Sequence, residues 1–315
     1  MTTVRASAPG KIILLGEHAV VYGQPALAVP VHALRATTEI AQAPPGAGLT
    51  LNAPDLGVHA PLTTLAGHPL AQTVELVLAT VGVPQPDATV RITSTIPIAA
   101  GLGSGAAVTA SLASALSTYL GQPIEGDTLS ALVYEVEKHY HGTPSGIDNT
   151  VVCAGRPVFF RRSQPIETFT PGAPFHFVVA DTGVPSHTHQ TVSAVREGWL
   201  ADPARYDALF ERIGTLVLQG RTCIEAGDAH AFGPLMSANH ALLRELGVSS
   251  TELDALVAAA GAAGALGAKL SGGGGGGNMI ALAGSRADAD RIRQALVDAG
   301  TTRAFITTLN PPEAA

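Results

Sequence analysis

Six consecutive glycines, Gly272 to Gly277, follow Lys269-Leu270-Ser271 and precede Asn278. Ordering such a run costs unusually much backbone entropy. Its flanks are apolar and read as structured elements, not as a linker. The run therefore implies close approach of backbone to something bulky, either a ligand or a neighbouring loop.

The 315 residues suit two domains. With 46% hydrophobic and 14% charged residues there is ample material for a core, which excludes a disordered chain. A net charge of −7 and 8 Phe, 5 Tyr and 1 Trp argue against a basic, stacking nucleic-acid surface. They leave room for an anionic substrate in a locally basic pocket. No stretch reaches the roughly 18 uncharged apolar residues of a membrane span. The start, MTTVRASAPGK, lacks the apolar core of a signal peptide. Cys153 and Cys223 have neither metal-ligand spacing nor a disulfide pattern, so the expected location is a reduced cytoplasm.

Of 18 basic residues only Lys11, Lys138 and Lys269 are lysines. A chain that otherwise uses Arg and keeps Lys inside two glycine-containing segments suggests a need for a compact point charge there.

Along the chain, Val4–Val29 alternates and then runs apolar, as a buried strand entering a turn would. Leu34–Ile40 reads as a strand and Pro44–Gly48 as a loop. Helices are expected at Pro69–Val81, Ala106–Leu120, Pro203–Ala226, His230–Leu246, Ser250–Ala263 and Ser285–Ala299. A further helix is expected to start at a cap supplied by Asp127. Strands are expected at Ala88–Ile96, Phe175–Ala180 and Ala304–Thr308. The mix lacks regular βαβ spacing and predicts an α+β fold. A composition shift near Arg161–Pro174 places the domain boundary so that residues 1–165 and 166–315 form the two domains.

Four segments could carry chemistry. PGKIILLGEHAVVYG places Lys11, Glu17 and His18 at the ends of an apolar strand. Pro97-Ile-Ala-Ala-Gly101-Leu102-Gly103-Ser104-Gly105-Ala106-Ala107 leads into a helix, and backbone N–H groups at such a turn bind phosphate. No Walker A pattern is present. Gly101, Gly103 and Ala106 also satisfy the dinucleotide fingerprint, with Glu125 and Asp127 about 20 residues on, which keeps an oxidoreductase among the readings. In EKHYHGTPSGIDN, His139 and His141 would point to different helix faces, which disfavours a metal pair. Asp148 is held there in a Pro/Gly-shaped loop. The fourth segment is the glycine run with Lys269. His187 and His189 are left as surface residues. Two glycine loops, a lone lysine and a loop aspartate together suit phosphoryl transfer from a nucleotide.

These segments, in this order from Pro9 to Asn278, resemble the three motifs of the superfamily of galactokinase, homoserine kinase, mevalonate kinase and phosphomevalonate kinase. PGKIILLGEHAVVYG and HGTPSGIDN are most similar to its mevalonate kinases. The resemblance implies a domain like ribosomal protein S5 domain 2, a ferredoxin-like C-terminal domain and an active site in the cleft between them. It implies ATP and Mg²⁺, and ATP-dependent phosphorylation of the mevalonate 5-hydroxyl in isoprenoid biosynthesis. By the same resemblance Asp148 and Lys11 are catalytic, and Pro97 and Gly101 to Ala107 form the phosphate loop. Lys269, Ser271, Gly272, Gly273, Gly274 and Gly275 would buttress that loop. Glu137 and Ser104 would hold the metal. Lys11, Glu17, His18, Ser145, Asp148 and Thr188 would lie near substrate.

The chain departs from the family at four positions. Gly105 stands where the family usually has a magnesium-binding serine, so Ser104, water or ATP oxygens would fill that position. Gly273 and Asn278 replace the common Ala and Cys, and Ser271 replaces Thr while keeping the hydroxyl. The expected partners are small-molecule mevalonate and a second copy of the chain. The alternatives are a kinase of the same fold for another small hydroxyl substrate, phosphomevalonate-related or a sugar, and a non-catalytic ATP-binding sensor.

Overall fold

The first strand, β1 (Thr3–Leu15), shows in its burial why KIILL was a strong strand signal: partly exposed at first, it is fully buried from Ala8 to Leu15. The structure, a computed structural model, describes residues 3–97, 101–141, 145–186 and 188–312, without the side chains of Tyr140 and His141. After a turn, β2 (Ala26–Gln42) pairs with β1. The chain divides into two compact units that are discontinuous in sequence. The first takes the segments through Lys11, from Pro30 through Pro97 and from Gly103 through Gly155. The second takes Ile12–Val29, Gly101–Leu102 and the chain from Arg156 onward. A boundary drawn once near residue 165 cannot express two short exchanges whose residues are as apolar as their neighbours.

In the first unit β3 (Leu49–Ala53), β4 (Val58–Pro61), α1 (Pro69–Val81) and β5 (Ala88–Ser94) precede three further helices. These are α2 (Ser104–Tyr119), α3 (Gly126–His141) and α4 (Ile147–Ala154). β5 runs antiparallel to the C-terminal half of β2 and parallel to β3, and β3 is antiparallel to β4. α2 is buried on nearly all sides by α1, α3, α4 and β5. Its run of Ala and Ser lets those neighbours approach closely, as a helix without an exposed face requires. α1 starts with Pro69 after His68, whose side chain accepts from Leu70 N–H, and stops at left-handed Gly82.

The second unit continues with β6 (Val158–Phe160), β7 (Glu167–Thr168), β8 (Phe175–Asp181) and α5 (Thr188–Ala201). Then come α6 (Pro203–Ala226), α7 (Ala229–Glu245), α8 (Thr251–Ala262), β9 (Gly267–Ser271), β10 (Asn278–Ala283), α9 (Arg286–Asp298) and β11 (Arg303–Leu309). Its four-stranded sheet has the order β11-β8-β10-β9, antiparallel throughout. The strands and helices follow a β-α-β-β-α-β plan, with four helices between β8 and β9, which is the ferredoxin-like arrangement. Val178, Phe210, Leu243, Leu270 and Met279 belong to the core beneath it.

Three local expectations are corrected. Asp127 lies in the first turn of α3 and is not the cap before it, because the helix begins at Gly126. Asp148 is not in a loop: it sits in the first turn of α4, after left-handed Gly146. The dinucleotide fingerprint has no parallel strand after its helix, since β6 pairs antiparallel with β2. The oxidoreductase reading loses its fold.

Candidate active site

Within the first unit, β1 carries Lys11 to a position where its stem lies against the glycine turn. A Cβ at Gly103 would come within 2.9 Å of Lys11 Cγ, so only glycine leaves room for the lysine. Gly103 also holds φ 74°, a second demand for that residue, and forms the N-cap of α2. Lys11 Nζ pairs with Asp148 Oδ1 at 2.9 Å. The lysine side chain is 4% exposed and the aspartate 30%, so a buried ammonium meets a carboxylate that solvent still reaches. Glu137, on α3, completes the cluster. Burial, then repulsion from Asp148, raises its pKa to about 8, opposed by Lys11. The Cys153 thiol is pushed up to about 12 by burial and by Glu137.

Ser104 opens α2 and is half-buried, while Ala106 and Ala107 are buried behind it. No acidic side chain occupies the first turn, so the helix N-terminus keeps its unopposed positive end. Gly105 faces open space, and a Cβ there would touch nothing within 4 Å. Pro97 is half-buried before the turn, and Leu102 is buried within it. Ile98, Ala99 and Ala100 lie outside the described residues, as do Gly142, Thr143, Pro144 and His187. Ser145 Oγ accepts from Ile147 N–H at 3.4 Å at the entry to α4. His139 is exposed and its ring meets Gln72 Nε2 at 3.2 Å, and His189 is exposed.

The second unit contains the glycine run as the connection between β9 and β10. Five of its six residues have positive φ, Gly273 being the exception. Gly275 N–H donates to Val248 C=O and Gly277 N–H to Val184 C=O, both at 2.8 Å. Side chains would collide here: a Cβ at Gly276 would lie 2.6 Å from Val184 O, and one at Gly273 2.5 Å from Thr188 Oγ1. Neighbouring loops are thus one bulky object that the run accommodates. Gly101 and Gly272 also approach each other, a Cβ on Gly272 falling 3.7 Å from Gly101 O. Ser271 Oγ accepts from Ile13 N–H and donates to Ile13 C=O, which fastens β9 to β1.

Glu17 and His18 follow β1 in the same unit. Glu17 is buried, pairs with Lys269 and accepts from Asn239 Nδ2. His18 holds φ 61°, rare for a residue other than glycine, and its Nε2 lies 3.0 Å from Gly273 O. A carbonyl can only accept, so Nε2 carries the hydrogen. Burial, only partly offset by that bond, lowers the ring's pKa to about 4, and it is neutral at pH 7. Thr188 opens α5, exposed, with Ser186 Oγ 3.2 Å from its hydroxyl. Sequence reasoning did not find Asn239 or Ser186. Asn239 had one signal: it interrupts the apolar stripe Phe232, Met236 and Leu243 on α7, which Leu246 continues at the C-cap.

Among the described residues no group of three or more His, Cys, Asp or Glu side chains converges as a metal site. Two neighbouring carboxylates, one with its pKa raised by burial and by repulsion from the other, are instead what a divalent cation shared with substrate phosphates would relieve.

Family models for the GHMP kinases N terminal domain and the GHMP kinases C terminal match residues 69–155 and 221–301. The chain belongs to the GHMP kinases. It is 35% identical to a mevalonate kinase of Aeropyrum pernix over 292 residues, covering 88% of each chain. It is 35% identical to one of Pyrococcus horikoshii over 311 residues, covering 90% of this chain and 89% of that one. The structure resembles L. major mevalonate kinase in complex with R-mevalonate, with a TM-score of 0.87 and 28% identity over 99% and 98% of the two chains. Methanococcus jannaschii mevalonate kinase gives a TM-score of 0.84 at 25% identity, covering 98% of each chain. No described helix is long and apolar enough to cross a membrane.

Proposed function

We propose that this chain transfers the γ-phosphoryl group of ATP to the 5-hydroxyl of (R)-mevalonate, giving 5-phosphomevalonate and ADP. The observation that carries the reading is the Lys11–Asp148 pair: a buried ammonium beside the phosphate turn, joined to a carboxylate that remains accessible. In the transfer a bond forms between the mevalonate oxygen and phosphorus, and the bond from phosphorus to the ADP oxygen breaks. Asp148 orients the hydroxyl and takes its proton, a role worth about 10²–10⁴-fold. Because the transition state is largely dissociative, alignment carries much of that effect. Lys11 holds the Asp148 carboxylate in place and stabilises charge on the transferring group. The N–H groups at Gly103 to Ala107 receive the ATP phosphates.

Glu137 and Ser104 would hold Mg²⁺, which supplies charge neutralisation on the phosphates when bound. Acceptor binding is assigned to His18 and Thr188 and, in the first unit, to Ser145; Glu17 is sealed against Lys269 and acts behind His18, and Ser271 to Gly275 support the nucleotide loop at Gly101. Residence in the cytoplasm and assembly as a homodimer complete it, the latter checked by sedimentation of the purified chain.

The test is ADP release with ATP, Mg²⁺ and mevalonate, phosphomevalonate, homoserine or galactose. Turnover with mevalonate alone is expected. Turnover with another acceptor would keep the kinase and replace the substrate, and ATP binding without turnover would favour a sensor.

A further inference from the structure

A carboxylate removed from water costs several kcal/mol unless it is both paired and hydrogen-bonded. Glu17 meets that demand with two residues far away in sequence. Lys269 Nζ, on β9 and also without exposure, pairs with Oε1, and Asn239 Nδ2, on α7, donates to Oε2 at 3.1 Å. Each carboxylate oxygen already has a donor within the protein. Asn239 is the more informative partner. Its Oδ1 is buried without a hydrogen-bond partner, an unmet acceptor that costs on the order of 1–3 kcal/mol. Leucine would continue the apolar stripe of α7 without that cost. What the amide provides in return is its bond to Glu17.

The next residue shows what is gained by fixing Glu17. His18 occupies the left-handed region, and its ring N–H holds the carbonyl of Gly273. Gly273 differs from the rest of the glycine run: its φ is not positive, so alanine would suit its backbone. It is glycine because Thr188 lies against its Cα. The main chain at Gly273 is therefore seated between the His18 ring and the Thr188 side chain. Ser186 Oγ adds a bond to Gly274 C=O at 3.0 Å.

We propose that Lys269 and Asn239 are positioning residues: through Glu17 they hold the His18 turn and the Gly273 main chain, and so set where His18 and Thr188 meet the acceptor. Neither touches substrate, and Glu17 acts through its neighbour. The proposal rests on the reading that His18 and Thr188 face the acceptor.

Two variants of the full chain test it: Asn239→Leu, and the double variant Lys269→Met/Glu17→Gln, which leaves no unpaired buried ion. Steady-state kinetics separate the acceptor from the nucleotide, and thermal melts report the fold. The double variant is expected to raise KM for mevalonate about tenfold and Asn239→Leu about threefold, since small misplacements of binding groups are felt strongly. KM for ATP and kcat should stay within about threefold of wild type in both, because the Lys11–Asp148 pair is untouched. A purely structural role would lower Tm and leave the acceptor KM unmoved, and an unmoved acceptor KM in a folded variant overturns the proposal. If the double variant does not fold, Asn239→Leu decides alone, with Asn239→Ala in its place should leucine not be accommodated. A wild-type chain that ignores mevalonate but uses another acceptor refutes the substrate reading only, and the same KM ratios are then read with that acceptor. A wild type with no acceptor overturns both.

Discussion

Two buried lysines meet two carboxylates in this chain, and the pairs differ in one respect. Around Lys11 the partner Asp148 keeps 30% of its side-chain exposure, whereas Lys269 and Glu17 have 0% and 1%. The charges are the same and the access is not. An accessible carboxylate can receive a proton from a substrate hydroxyl. A sealed one cannot meet a substrate, and its charge serves only the protein around it. Proximity of Lys to Asp or Glu is thus a poor guide to catalysis until the exposure of the acid is known.

The comparison breaks most readily at the sealed pair. Lys269→Met leaves Glu17 buried and unpaired and should destabilise the chain by about 3–5 kcal/mol, read from denaturant unfolding. A loss under about 1 kcal/mol would mean that water reaches Glu17. Lys11→Met is expected to do the reverse. Asp148 can rehydrate, so Tm should change little, while kcat falls by about 10²–10³ for loss of charge stabilisation at the transferring group. Equal damage to fold and turnover in both variants would erase the distinction.

His18 sharpens it through pH. Its unfolded value lies near 6.5 and its folded value at about 4. The unfolded state therefore binds the proton first as pH drops, and stability falls between pH 6.5 and about 4, by up to ~3 kcal/mol. His18→Asn, which tolerates the left-handed turn, should flatten that part of a stability–pH curve. A curve of unchanged slope would place His18 in water. The smallest effect is expected at Gly105, where the surroundings are open. Gly105→Ser should lower the Mg²⁺ concentration for half-maximal rate by about twofold without altering Tm, adding one oxygen ligand. An unchanged Mg²⁺ titration would count against metal binding at this turn.

Much of this was legible in the residues, for identifiable reasons. The bounds of α1 and α6 were readable because each begins with proline and carries a helical apolar repeat. The scarcity of lysine pointed to Lys11 and Lys269 before either partner was known. What stayed hidden depends on distance in sequence. β9 and β10 are short apolar pieces beside six glycines, and the pairing of β10 with β8 and with β9, not local pattern, defines them. The helix carrying Asp148 has only eight residues, introduced by a glycine-containing stretch that reads as a loop. The division of the chain at Lys11 and Val29 follows from packing and leaves no trace in composition. Asn239 is one polar residue in an apolar stripe, and its meaning appears only with Glu17 beside it.

The central claim is that phosphoryl transfer to mevalonate depends on the accessible acid of the first pair. The most direct measurement compares wild type and Asp148→Asn, recording ADP release with mevalonate and nucleotide affinity on the same preparations. The account predicts unchanged ATP affinity and turnover lower by at least about 10². Near-wild-type turnover in Asp148→Asn would contradict it.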